Sequence, residues 1–191
     1  MQASRILRAA AGLAMAAIAS GCMVIEEERV DVAPLDGFFP LTEGGEYTYC
    51  AEPEDGERDC LRVAVSRTAL RGADWVRLHP VAAESDAPEE DLLVLFFHAG
   101  GIGDLAFMRI EDQEPLLLLT RAETTPEGVR LVIPNCTTQP GNALGAAAAA
   151  AGAEADENGC LFADQDSLFA AASVLATGGD VPLFGVATIE P

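Results

Sequence analysis

The chain predicts a mainly β domain: an antiparallel meander with one C-terminal α-helix packed on it. Three observations carry this. Short apolar segments recur about every 10 residues, separated by Gly, Pro, Asn and Asp clusters. A helical spacing of apolar residues occurs once, after residue 164. The expected cysteine pairs each bracket a local, turn-rich stretch. A curved sheet, an open barrel and a sandwich fit this pattern equally, and a single β-rich domain is expected over residues 37–191.

Residues 1–21 have the parts of an export signal. Arg5 and Arg8 form a basic start, and Ala9 to Ile18 is apolar. That run is too short for a bilayer core of about 30 Å, which takes about 20 helical residues. Small residues then lead to a cysteine, in Ala19-Ser20-Gly21-Cys22. This stretch resembles the lipobox of bacterial lipoproteins, with Ala19 where that family usually has Leu. The resemblance implies cleavage before Cys22, a diacylglyceryl thioether on its sulfur and acylation of the new amino group. Met23 follows Cys22 where an Asp would imply retention, so the resemblance implies an outer-membrane lipoprotein facing the periplasm or the cell surface. Two or more acyl chains give stable anchoring, whereas one is marginal.

Residues 22–36 are expected to be the lipidated cysteine and an acidic tether, because Glu26-Glu27-Glu28 is a charge run and Pro34 follows. Gly37-Phe38-Phe39-Pro40-Leu41 and Gly44-Gly45-Glu46-Tyr47-Thr48-Tyr49 open the domain. They resemble an entry segment of exported bacterial β-domains. Tyr47 and Tyr49 share one strand face. Asp55-Gly56 signals a hairpin turn, after which Leu61, Val63 and Val65 share a face. Trp75 to Val81 is a strand with Pro80 in it, which suggests an edge or a bulge. Ala83 to Asp91 is an acidic loop.

Leu92 to Phe97 is a continuous apolar run, as expected of a strand covered on both faces. Leu105 to Ile110, Pro115 to Thr120 and Val129 to Ile133 continue the meander, with a turn at Glu111-Asp112-Gln113-Glu114. Cys136 to Cys160 interrupts the rhythm. It holds the alanine run Ala146–Ala151, short for a helix without packing, and Asp156-Glu157-Asn158-Gly159, which lacks the alternating ligands of a calcium loop. Asp164 starts the expected helix. Leu168, Ala171, Ala172 and Leu175 form its stripe, and Gly178-Gly179 stops it. Leu183 to Ile189 is a last strand.

The chain has 31 acidic and 11 basic side chains, all of the latter arginine, for a net charge of −20. Without Arg5 and Arg8, residues 22–191 carry −22. Such a charge argues against nucleic acid. It also leaves membrane attachment to the lipid on Cys22. Four further cysteines, Cys50, Cys60, Cys136 and Cys160, are an even set in an exported chain, which suggests disulfides. Three connectivities exist. Cys50–Cys60 and Cys136–Cys160 are expected, because each pair brackets a local excursion. A zinc site is the weaker alternative, since no C-x-x-C occurs.

No catalytic motif survives scrutiny. Phe96-Phe97-His98-Ala99-Gly100-Gly101 looks like the oxyanion loop of lipases and esterases, but no Gly-x-Ser-x-Gly accompanies it. His79 and His98 are the only histidines. They could share a metal with Asp104, or be ordinary strand residues, which is the reading preferred. No cofactor, metal or catalytic residue is assigned. The expected function is a lipid-anchored cell-envelope protein with a non-catalytic binding or structural role and an envelope protein as partner. The alternatives are a small apolar-ligand carrier with a barrel-like cavity and, behind it, a hydrolase.

Overall fold

A computed structural model describes residues 22–53, 58–81, 90–110, 115–155, 159–177 and 181–191. Residues 1–21 lie outside these. So do the turn at Asp55-Gly56, most of the acidic loop before Asp91, the turn at 111–114, residues 156–158 and Gly178-Gly179.

Among the described residues, twelve strands and two α-helices follow in order. The strands are β1 (Cys22–Glu26), β2 (Asp36–Phe38), β3 (Glu46–Pro53), β4 (Asp59–Leu70), β5 (Ala73–Pro80) and β6 (Leu92–Ala99). Then come β7 (Gly103–Ile110), β8 (Leu116–Thr125) and β9 (Gly128–Pro134). Helix α1 (Ala143–Ala150), β10 (Glu154–Ala155), β11 (Gly159–Phe162), helix α2 (Gln165–Ala172) and β12 (Leu183–Glu190) complete the chain.

The meander from β3 to β9 is antiparallel throughout. Strand β12 then inserts between β9 and β3, antiparallel to both. The result is a closed eight-stranded barrel, so of the three architectures open to the sequence the barrel is realised, and it is closed. Closure removes the free edges that a sheet otherwise exposes. Pro80 is the last residue of β5, paired with Val63 of β4 but beyond the β5–β6 ladder, which stops at Leu78, so it holds a local edge where its missing N–H costs no ladder bond. The β4–β5 turn places Arg71 and Gly72 at φ 53 and 81, the consecutive positive values of a tight hairpin.

Alternation along the strands separates two cores. Val63, Val65, Val76, Leu78, Val94, Phe96, Ala106, Leu118, Leu131, Ala187 and Ile189 point into the barrel. Leu93, Leu95, Phe97, Leu105, Phe107, Leu117 and Leu119 point outward from β6, β7 and β8, and helices α1 and α2 cover them. The apolar runs at 92–97 and 116–119 are thus strands buried on both faces, as their sequence predicts.

Helix α1 exists because it is packed. Leu144 and Ala148 are buried, and Asn142 caps it by accepting the Gly145 N–H. A side chain at Gly145 would begin 1.8 Å from the Thr137 carbonyl oxygen, so only glycine permits this approach. The alanine run, short for a helix on its own, is carried by this packing into a helix of eight residues. Helix α2 starts as expected, with Asp164 accepting from the Ser167 N–H at 2.8 Å. Phe169 of α2 reaches Phe97 at 5.9 Å between ring centroids.

The largest departure is at residues 22–36, which form no tether. Strand β1 lies between β8, antiparallel, and β11, parallel. A 3-10 turn (Glu27–Arg29) follows. Val30 and Val32 then pack into the outer core, and β2 pairs with β6. The physical reason is Met23-Val24-Ile25, an apolar and β-branched run that gains more from burial than the adjacent acids lose.

Candidate functional site

The N-terminal segment is a strap that fills two seams in the barrel wall. Strand β8 pairs with β9 over Arg121–Thr125 and with β1 over Leu116–Leu118. Strand β6 pairs with β5 over Leu92–Val94 and with β2 over Phe96–His98. At each seam a barrel strand peels away and a strap strand takes its place.

Cys22 begins the strap, opposite Gly159. Its side chain belongs to the barrel cluster and is 0% exposed. Burial pushes its thiol up to about 12, so the sulfur in this position is a neutral, packed group and a poor nucleophile.

Glu27 is the one buried carboxylate among the described residues. It forms an ion pair with Arg109 of β7, and Arg71 of the β4–β5 turn donates to its carbonyl oxygen. The three consecutive glutamates thus have unlike surroundings, since neighbours on a chain point different ways. Glu26 pairs with Arg29, whose Nη1 donates to the Ala163 carbonyl at 3.0 Å. Glu28 is exposed. The Asp31 N–H donates to Gln165 Oε1 at 2.9 Å, which ties the strap to helix α2. Beside these contacts lies a surface pocket of about 220 Å³, lined by Glu26, Arg29, Glu154, Leu161 and Phe162 among others. Glu27, Arg71 and Arg109 carry no sequence signal as a cluster, because they come from three distant segments.

The histidines are not brought together. His98 Nδ1 lies 2.6 Å from Asp104 Oδ1, directly across the β6–β7 pair, and its ring stacks on Phe38 at 4.4 Å. His79, on β5, pairs with Asp91 instead. Each imidazole has its own carboxylate, and the shared metal site considered from the sequence is not formed. Among the described residues no group of three or more His, Cys, Asp or Glu side chains is placed to hold a metal ion. Gly100 and Gly101 form the hairpin turn after His98, not an oxyanion loop.

Both expected cysteine pairs are at bonding distance, Cys50 with Cys60 and Cys136 with Cys160. The first joins directly opposed residues of β3 and β4. The second joins the exit from β9 to β11.

On the outside of the β8–β9 pair, Arg121 and Arg130 both bond Glu123. Burial opposes the charge on Glu123, but the two guanidinium hydrogen bonds outweigh it and hold the carboxyl below its ordinary range. In the barrel, burial pushes the Tyr49 hydroxyl up to about 12.

The middle of the barrel is occupied by its own side chains. Val94, Phe96, Ala106 and Leu131 are fully buried, and Val63, Val65 and Leu78 nearly so. A ligand chamber of several hundred Å³ would leave such residues accessible. Compared with protein-family models, curated protein sequences and solved structures, the chain matches none.

Proposed function

We propose that this is an exported protein, anchored in the cell envelope through acylated Cys22, with a non-catalytic binding or structural role. The observation that carries the exported part is the pair of disulfides. Both cysteine pairs sit at bonding geometry, one clamping a hairpin and one clamping the outer layer. Such bonds persist in oxidising compartments and are rare in reducing ones. The basic-then-apolar start that ends in Ala19-Ser20-Gly21-Cys22 supplies the anchor. By the same resemblance the destination is the outer membrane, with the barrel facing the periplasm or the cell surface.

A non-catalytic role is supported by what the polar groups do. Glu27 with Arg109, Glu123 with Arg130, and the two imidazole–carboxylate pairs are each engaged in an ion pair, although the Nε of Arg109 is buried without a hydrogen-bond partner. The filled barrel favours recognition by its exterior over carriage of an apolar molecule inside. Intact-mass measurement of the protein from an exporting bacterial host tests the anchor. A chain that begins at an acylated Cys22 is expected; an unmodified Cys22, or retention of residues 1–21, sinks the reading. Crosslinking in the native envelope then identifies the partner.

A further inference from the structure

We infer that the mature protein sits flush on the bilayer, with the β8–β9 seam turned toward the lipid surface, instead of hanging from a leash. The inference rests on the acyl-anchor reading of Cys22. Strand pairing begins at Cys22, opposite Gly159, and continues at Met23, opposite Cys160, so no stretch of free chain separates anchor from domain even when Cys22 itself leaves the ladder. The strap cannot readily unwind to supply any. Met23 and Ile25 are fully buried, Val30 and Val32 nearly so, and Glu27 is bound by Arg109 and Arg71.

The acyl chains have no room on the inner side, where Val94, Phe96, Ala106 and Leu131 fill the barrel. When acylated, the Cys22 side chain therefore turns out of the seam while the strap stays docked from Met23 onward. The chains then leave on the outside of the wall.

That outside differs from the rest of this acidic molecule. Val24 pairs with Leu118, so Cys22 lies level with Thr120, beside Arg121. Arg121 and Arg130 share the single carboxylate of Glu123, a local excess of positive charge in a chain of net −20. Leu183, 37% exposed, adjoins Pro134 at the end of β9 on this outward side. Guanidinium groups and an exposed apolar side chain near an acylated residue suit a phospholipid headgroup layer.

The test is neutron reflectometry on the full-length protein, matured in an exporting host and placed in a supported bilayer of phosphatidylethanolamine and phosphatidylglycerol. Protein density is expected to begin at the headgroups, and ten Gly/Ser residues inserted after Cys22 should open a solvent layer of roughly 15–20 Å. A solvent layer of about 20 Å under the uninserted protein, the coil dimension of a tether over residues 23–36, overturns the inference. Arg121→Glu with Arg130→Glu should tilt or lift the domain at low salt, and an unchanged profile overturns the choice of face. Intact mass on the same sample separates the two readings. An unacylated Cys22 fells the anchor and this inference together, whereas an acylated protein with a solvent gap fells this inference alone.

Discussion

The barrel interior and the layer outside β6, β7 and β8 are both dry cores, yet they are assembled on opposite plans. The interior is made mostly by neighbouring hairpins, each strand pairing with the next. The outer layer is made by segments from far apart in the chain, the strap at 22–35 and the helical excursion at 136–175. Their fasteners differ accordingly. Cys50–Cys60 links residues that the β3–β4 ladder already holds opposite each other. Cys136–Cys160 and the Glu27–Arg109 pair link segments that share no hairpin. Where a ladder fixes geometry a crosslink adds little, and where distant segments dock, specific bonds carry the registration.

That contrast can be broken by mutation. Phe96→Ala leaves a cavity inside the barrel and should cost about 4 kcal/mol, lowering one cooperative transition in chemical denaturation. If the outer layer alone loosened, the interior would not be the common foundation. Glu27→Ala leaves the largely covered Arg109 without its partner and should cost about 3 kcal/mol. Hydrogen exchange should then rise first in residues 22–35, with the barrel strands still protected. The double change Cys136→Ala, Cys160→Ala should cost about 2 kcal/mol, and the corresponding change at Cys50 and Cys60 less, because its strands stay paired. Equal losses in thermal unfolding would erase the distinction between the fasteners.

The pH dependence sharpens the same comparison. The barrel holds Tyr49 in its neutral form, with the hydroxyl pushed up to about 12. Its contribution is complete below the ordinary value near 10 and is lost as pH rises toward 12. Tyr49→Phe should flatten the alkaline arm of a stability profile, and an unchanged arm would remove Tyr49 as its source. Glu123, on the outer surface, has the opposite sign. Its lowered carboxyl stabilises above the ordinary carboxylate range, and that stabilisation is lost as pH falls through the lowered value. It is about a third exposed, so Glu123→Gln should change stability by less than about 1 kcal/mol.

The interior was legible in the sequence for a physical reason. Alternation at 61–65 and double-sided runs at 92–97 and 116–119 are local consequences of strand geometry, and the disulfide pairs followed from the turns they bracket. Closure of the barrel was not legible, because the pairing of β12 with β9 and β3 depends on residues about fifty and more than one hundred positions away. The strap was misjudged because Glu26-Glu27-Glu28 looked solvated. Burial of Glu27 needs Arg109 and Arg71, which the sequence does not place beside it. Met23-Val24-Ile25 was the signal available, a strand-forming run too short to stand out beside the charges. The two imidazole–carboxylate pairs are not legible in the sequence, where Asp104 enters only as a ligand of a metal shared by both histidines and Asp91 only as the end of an acidic loop.

Strand β12 lies farthest along the chain of all the strands, yet it is the stave that closes the barrel. The barrel therefore cannot close until residues 183–190 are present. Seven staves can form a ribbon by successive hairpins, but the outer edges of β3 and β9 stay unpaired until residues 183–190 arrive. The excursion between β9 and β12 lengthens that wait and raises the loop-closure entropy of the final step. During this interval the ribbon presents two open edges, the form of a nascent chain most prone to pair with its neighbours. The last eight-residue strand thus governs when the molecule stops being sticky.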